Sequence, residues 1–388
     1  MKILFVASEY SPFGHVTNGA GQRTSLLFQA CLELGDLDVL CFFPVSEQIK
    51  SKYNIIFDQA IPRDNNIGRI QKLVNIVSVN RIESVFSVTK ARAEIARDII
   101  EKNDYDLIVT RYLPSAVDCG LMPYADKLVV DADDDPAKQI LLEHFNVRSA
   151  FAKWYYRTMS KRAEKFTKKI VLKAHTVLFS NLTSVAKYGG KYLQNIPYIE
   201  HEPLPLPTEE HKHNLLFVGE MEYAPNYNGV DRFIENIFPI VKRRYTDAQL
   251  RIVGRIHNSE RYKKWSSVEG VTVCGFVKDI VEEYLNTAVV VVPIYEGAGT
   301  NIKVLEAMQY GRACVLSKES SCGFASHCNH GVEYLIADDD VAFAECVCEL
   351  FESGSQYERI VKNAYSTVSK YYSRQGFVNT LRTALKQN

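Results

Sequence analysis

The stretch EGAGTNIKVLEAMQYGRACVLS, Glu296 to Ser317, decides how the rest of the chain is read. It follows the apolar run VVVVP, Val289 to Pro293, carries glycines at Gly297 and Gly299, and opens a helix at about Asn301, where Ile302, Leu305, Ala307 and Met308 fall at helical spacing. A buried strand followed by a glycine turn and a helix start leaves free backbone N–H groups at the strand's carboxyl end. Those donors act with the positive end of the helix dipole to hold an anion. Lys303 adds a mobile positive charge in the first turn, and Glu306 projects a carboxylate about one turn later, at a distance that suits a sugar hydroxyl better than a phosphate. The stretch is built to hold a phosphate at one end and a hydroxyl at the other, as a nucleotide requires.

The chain has 388 residues, 46% hydrophobic and 24% charged, which is ordinary globular composition with length enough for two domains. Formal net charge is zero, so nothing global points to nucleic acid, and any electrostatic partner must meet a local patch. The nine cysteines are scattered through segments that read as strands and helices, with no disulfide framework, which fits a reducing cytoplasm. The opening MKILFVASEY is too short in its apolar run for a signal peptide and reads as a first strand. No apolar run approaches bilayer length, so any membrane role is expected to be peripheral, at the inner face of the cytoplasmic membrane.

Upstream of the opening stretch, strands are expected at Lys2 to Ala7, Asp38 to Phe43, Asp106 to Thr110, Lys127 to Asp131 and Thr176 to Ser180, with helical segments between them, notably Lys90 to Lys102. That alternation predicts a parallel sheet covered on both faces, with ligands beyond the carboxyl ends of the strands. The segment after the first strand passes Gly14, Gly19 and Gly21 before becoming helical at about Thr24. It lacks the G-x-G-x-x-G spacing and reads either as a ligand loop or as a plain turn; Arg23 favours the ligand, because a guanidinium at a helix start is oddly placed unless it meets an anion.

The acidic run VVDADDDP, with Asp131, Asp133, Asp134 and Asp135, allows three readings. It can hold Mg²⁺, in the manner of the Asp-x-Asp element it resembles in GT-A glycosyltransferases or, more distantly, the strand-end aspartates of haloacid-dehalogenase-like phosphatases. It can contact or deprotonate an acceptor hydroxyl, or it can be an Asx-turn and helix cap before Pro136. From Arg148 to Lys173 nine Lys or Arg face a single Glu164, interleaved with Phe151, Trp154, Tyr155, Tyr156 and Phe166. This basic, aromatic helix suits an anionic membrane surface, the alternative being a solvated helix packed on the sheet.

Ile196 to Asn214, with four prolines, reads as an extended linker and the domain boundary. Beyond it the pattern restarts: strand Leu215 to Gly219, helix Gly229 to Tyr245, strands Gln249 to Gly254 and Val271 to Phe276, helix Ile280 to Thr287, then Val289 to Pro293. Arg255, directly after Gly254, is placed to reach a diphosphate. The histidines His201, His211 and His213, and the cluster CGFASHCNH with Cys322, His327, Cys328 and His330, match no zinc module and read as loops without metal.

The segments Asn214 to Arg255 and Val271 to Ser317, with GVEYLIADDD downstream, resemble the nucleotide-sugar-binding half of GT-B glycosyltransferases of glycosyltransferase family 4. The resemblance covers roughly Asn214 to Asp340. It implies an α/β fold of two Rossmann-like domains facing an interdomain cleft. These would be an acceptor-side domain over residues 1–200, a nucleotide-sugar-binding domain over 201–370, and a last helix over 371–388 returning to the first. It also implies a retaining glycosyl transfer without cofactor or metal, from a nucleoside-diphosphate sugar to a saccharide or lipid-linked acceptor, in making bacterial polysaccharide or lipopolysaccharide. By position Glu306 matches the second Glu of the family's E-x₇-E motif, which contacts the donor ribose. Gly299, Thr300 and Asn301 match the diphosphate cradle, and Gly219 and Phe276 fall among donor-binding positions.

The chain also departs from the pattern. The first Glu of E-x₇-E falls at Ala298, leaving Glu296 as the candidate for the transferred sugar. Glu220, Met221 and Asn226 stand where many members carry an Arg and a Lys, so Arg255 and Lys303 are expected to neutralise the diphosphate. In the first half, Gly19, Gly21 and Arg23 form the expected loop facing the donor, and Asp133 and Asp134 the acceptor side. A nucleotide-sugar epimerase or hydrolase on the same fold, and a catalytically silent nucleotide-sugar binder, are the competing functions.

Overall fold

The computed structural model describes residues 1–13, 19–64, 86–144, 149–296 and 300–386. The chain divides into two compact units, Met1–Tyr198 with Phe377–Asn388, and Ile199–Gly376. Each is an α/β unit on one wholly parallel sheet.

The sheet of the first unit contains β1 (Lys2–Ala7), β2 (Asp36–Cys41), β3 (Asn54–Asp58), β4 (Leu107–Arg111), β5 (Leu128–Asp133), β6 (Thr176–Phe179) and β7 (Lys191–Tyr192), in the order β3-β2-β1-β4-β5-β6-β7. Its central strands, such as LIVTR of β4, are buried at every position, which is why they read as continuous apolar runs rather than alternating ones. β3 and β7 were not foreseen, being short strands toward the sheet's edges with no long apolar run. The first helix, Gly19–Leu34, begins five residues before the expected Thr24, so Gly19 and Gly21 lie in its first turn and not in a loop. Gly14 lies outside the described residues. The last helix, Arg374–Leu385, has most of its length in the first unit, where Leu385 and Ala384 carbonyls meet His175 Nε2 at 3.1 Å and Thr176 Oγ1 at 3.4 Å.

The second unit repeats the plan with β8 (Asn214–Val218), β9 (Gln249–Val253), β10 (Val271–Gly275), β11 (Val289–Val292), β12 (Ala313–Ser317) and β13 (Leu335–Ala337), in the order β10-β9-β8-β11-β12-β13. The helix expected from Gly229 to Tyr245 instead runs from Ala224 to Arg232, widens into a π turn over Phe233–Ile237, and resumes over Phe238–Arg244. Pro239 accounts for the widening, because it lacks an N–H and its ring crowds the carbonyl one turn back.

The proline-rich segment is not free, although it reads as a linker. His201 stacks on Tyr310 at 4.3 Å and bonds its hydroxyl at 2.9 Å, Leu204 N donates to Tyr310 O at 3.1 Å, and Arg312 Nη2 donates to Pro205 O at 2.9 Å. Arg312 is fully buried and also donates to the carbonyls of Tyr284, Tyr310 and Gly311, so one guanidinium ties the segment to the end of the Ile280–Leu285 helix.

Two strand ends in this unit meet closely. Gly254, with φ +144°, passes so near the end of β8 that a Cβ there would lie 1.6 Å from Gly219 O. Gly254→Ala is expected to destabilise the protein by roughly 2–4 kcal/mol through backbone strain and overlap, read by urea unfolding.

Candidate active site at the carboxyl edge of the second sheet

Chain order in the second sheet reverses at β8, which has β9 on one side and β11 on the other. Ligands of such sheets collect beyond the carboxyl ends at that switch point. Gly219 follows β8, and the Ile302–Gln309 helix sends Lys303 back over the same place. A side chain at Gly219 would come within 2.9 Å of Lys303 Nζ and 2.8 Å of Asn226 Nδ2, so the missing Cβ is what leaves room for both. Lys303 Nζ lies 4.4 Å from the centroid of the Phe217 ring and donates to Asn226 Oδ1 at 2.8 Å. The Asn226 amide is oriented by its own Nδ2, which donates to Glu220 O at 2.9 Å. The ammonium therefore rests on a ring face and a neutral amide, with no ion pair among the described residues. Burial pushes its pKa down to about 7, against a smaller opposing effect of the Glu306 carboxylate.

Glu306, on the same helix, accepts from Tyr284 Oη at 3.1 Å, and burial holds its carboxyl above the usual range. Tyr284 is fixed in turn by stacking on Tyr310 at 4.4 Å. Three buried polar atoms close to these strand ends have no hydrogen-bond partner among the described residues: Glu220 Oε1 after β8, Tyr295 Oη after β11, and Thr300 Oγ1 before the helix. Asn301 precedes the helix without capping it through its side chain, its Nδ2 lying 3.4 Å from Ser320 O. Arg255 is half-exposed and bonds Glu220 Oε2 through Nε at 3.1 Å. Phe276, past β10, is 69% exposed. Glu296 is exposed and has no partner among the described residues, while Gly299 lies outside them.

The structure thus brings Gly219, Lys303, Thr300, Asn301 and Glu306 to one sheet edge. A cation without a counter-ion beside an uncapped helix start can bind an anion. A carboxylate one turn on can accept a hydroxyl, and an exposed ring can stack on a planar group. Sequence reasoning missed the groups that orient these: Phe217 and Tyr284, and the bond from Lys303 to Asn226. Tyr284 sits inside an ordinary helical pattern, and nothing in its neighbours marks it.

The first sheet's edge is arranged differently. Arg23, expected to meet a ligand anion, is 2% exposed and forms a bidentate pair with Asp131, Nε to Oδ2 at 2.8 Å and Nη2 to Oδ1 at 2.7 Å. Its remaining donors go to Asn195 Oδ1 and the carbonyls of Leu193 and Gln194. The anion it meets is internal, which corrects the ligand-facing role expected for it.

Arg111 at the end of β4, also unforeseen, bonds both Asp131 and Asp133. Tyr112 (φ +67°) and Asp133 (φ +63°) are both in the left-handed region, held there by the Tyr112 N to Asp131 O bond at 2.8 Å and by Arg111. Asp133 is therefore engaged within the protein rather than open to an acceptor, and the guanidiniums hold its carboxyl low against the effect of burial. Asp134 accepts from Ser180 Oγ at 3.1 Å and Asn181 Nδ2 at 3.4 Å, and burial together with the Asp133 charge pushes it up to about 7. Asp135 caps the Pro136–Glu143 helix through Ala137 N and Lys138 N, which is the cap reading of the acidic run.

Among the described residues no group of three or more His, Cys, Asp or Glu is placed to hold a metal. In the cysteine-histidine cluster, His327 stacks on Tyr371 at 4.2 Å and His330 Nδ1 accepts from Ile336 N at 2.9 Å.

Beside the arginine network lies a cavity of about 300 Å³, lined by Tyr10, Phe86, Tyr112, Leu113, Pro136 and Ile140, with the paired Glu9 and Arg63 at its wall. The basic helix spans Ala150–Val171, and Arg148 lies outside the described residues. Met159, Ala163, Phe166 and Ile170 pack inward, while Phe151 (63%) and Trp154 (50%) stand exposed beside Lys153 and Arg157. Among the described residues no helix is long and apolar enough to cross a membrane.

Residues 212–353 match the family model described as "Glycosyl transferases group 1", which places that domain on the second unit. A Klebsiella pneumoniae protein described as an uncharacterized 44.6 kDa protein in the cps region is 26% identical over 285 residues, covering 70% of this chain and 71% of its own. Among solved structures, the Anabaena protein HepE in complex with UDP and glucose is similar with a TM-score of 0.64 at 14% identity, covering 99% of both chains. The sucrose-phosphate synthase of Thermosynechococcus elongatus has a TM-score of 0.67 at 14% identity, covering 98% of this chain and 97% of that one. At such identities the structures speak for the fold, the GT-B one of two Rossmann-like domains. With the domain match, the chain is a glycosyltransferase.

Two outcomes follow from the first sheet's edge. Arg23→Met is expected to cost about 3–5 kcal/mol in urea unfolding by leaving Asp131 short of a counter-charge, with much of the loss recovered in Arg23→Met/Asp131→Leu. Native Asp134 keeps its proton up to about pH 7, whereas the unfolded carboxyl releases it near the ordinary aspartate value of 3.8. The folded state thus binds more protons across that window, and this contribution to stability is lost as pH rises through it. Asp134→Asn should therefore gain stability relative to the parent between about pH 4 and pH 7, measured by thermal melts at stepped pH.

Proposed function

We propose that the protein is a retaining glycosyltransferase that moves a sugar from a nucleoside-diphosphate sugar to a saccharide or lipid-linked acceptor in bacterial surface-polysaccharide biosynthesis. The observation that carries this reading is the Lys303 side chain, held without a counter-ion among the described residues at the end of β8 beside a helix start that no side chain caps. Cleaving a sugar–phosphate bond leaves negative charge on the diphosphate, and fixed donors placed where it develops lower the barrier. In the proposed arrangement Lys303 and the backbone at Thr300 and Asn301 take the diphosphate, and Arg255 swings from Glu220 to assist. Glu306 accepts from the ribose, Phe276 lies against the base, and Glu296 reaches the transferred sugar. HepE, of the same fold, is known with UDP and with UDP-glucose, which makes a uridine donor the first to try. The relative in a cps region supports a place in polysaccharide synthesis.

In the first unit the aromatic cavity beside Tyr10 and Tyr112 is the acceptor pocket of this reading. The exposed Phe151 and Trp154 with their neighbouring lysines and arginine bring the protein to an anionic membrane surface where a lipid-linked acceptor resides.

Incubation with a panel of nucleotide sugars, with and without membrane extract, tests the reading. Acceptor-dependent release of nucleoside diphosphate is the expected result. Sugar isomerisation or hydrolysis without acceptor would replace it with an epimerase or hydrolase, and binding without turnover with a silent binder. Lys303→Met is expected to lower kcat/KM at least about 100-fold, as loss of one fixed donor to a developing oxyanion does. It should also melt at a higher temperature at neutral pH, since it removes a buried charge. For the membrane surface, flotation with anionic liposomes should succeed at low salt and fail for Phe151→Ser/Trp154→Ser; failure of the parent to float at low salt refutes it.

A further inference from the structure

We propose that nucleoside-diphosphate binding at this site consumes a proton, taken up by the side chain of Lys303, and that Asn226 is the positioning residue that makes it so. The inference rests on the reading of Lys303 as the diphosphate's counter-charge.

The geometry of the pair carries it. Lys303 Nζ has one hydrogen-bond acceptor among the described residues, the neutral amide oxygen of Asn226 at 2.8 Å, and one ring beneath it, Phe217 at 4.4 Å. Asn226 is buried, and its Nδ2 bond to Glu220 O leaves only its oxygen to face the lysine. The site thus specifies an acceptor for an N–H and offers no charge to balance an ammonium. The charged groups around it are Glu306, one turn along its own helix and bonded to Tyr284 of the Ile280–Leu285 helix, and Glu220 at the end of β8, whose carboxylate is turned to Arg255 at the end of β9. Neither bonds the amine.

An amine buried on neutral partners favours its uncharged form, and Lys303 accordingly titrates near pH 7 in the empty site. A diphosphate arriving beside it reverses the preference, because the ammonium then has an anion at hydrogen-bond distance. Above neutral pH the amine must therefore gain a proton from solvent as the nucleotide binds. An aspartate at 226 would keep Lys303 charged in the empty site and compete with the diphosphate for it, whereas the neutral amide holds the amine in place without doing either.

Calorimetry of UDP and GDP binding to the whole protein at pH 8, in two buffers of different ionisation enthalpy, counts the protons taken up. The parent is expected to take up more than half a proton per nucleotide at pH 8 beyond what Lys303→Arg takes up, because a guanidinium stays charged throughout. That difference should vanish at pH 6, and the parent's affinity relative to Lys303→Arg should fall up to about tenfold per pH unit above 7. Asn226→Asp should lose the uptake and bind at least about tenfold more weakly at pH 6, with a thermal melt confirming that it is folded. Binding by the parent without excess uptake, or Asn226→Asp retaining it, overturns the proposal while leaving the glycosyltransferase reading intact. Failure of the parent to bind either nucleotide overturns both.

Discussion

A strand buried on both faces has room for polar groups only beyond its end, and that constraint shapes both units. In the two parallel sheets the backbone is consumed by the ladders and the side chains by the core, as at Val289 to Val292, all buried. The charged groups of both candidate edges gather at the carboxyl ends, where helices begin and backbone donors are free. The two edges settle their charges in opposite ways.

At the first, the charges are closed on one another. Arg23 and Arg111 enclose Asp131 and Asp133, and two non-glycine residues are held in left-handed backbone by the same contacts. Such a network is stable while complete and costly when one member is removed, because what remains is a buried charge. It fixes the floor beside the aromatic cavity and leaves Asp134 as the carboxyl that titrates near neutrality.

At the second edge the charges are left open. Lys303 has an amide where an acid could have stood, three buried polar atoms nearby lack partners among the described residues, and the helix start is uncapped by its side chain. Each costs stability, and in the proposed reading a ligand that brings negative charge and hydroxyls offsets that cost. The glycines enforce the arrangement: Gly219 leaves room for Lys303, and Gly254 lets β9 end against β8.

Much of this was legible in the sequence. Continuous apolar runs separated by helical spacing gave the parallel α/β plan. The stretch from Glu296 to Ser317 pointed to the candidate site, because a strand, a glycine turn and a helix start are local features that few residues define. The strands β3, β7, β12 and β13 were not named from the sequence, nor was the π turn ahead of Pro239. What the sequence by itself determined was therefore the fold class and the place of a candidate anion site, both written in short-range pattern. Only the tertiary structure decided which charges meet. Arg23 looked like a ligand contact until Asp131, over a hundred residues on, was found against it. Lys303 proved open because Asn226, from another element, offers it an amide. A charge's role depends on the partner that folding brings to it, and that partner lies at a sequence distance no local pattern records.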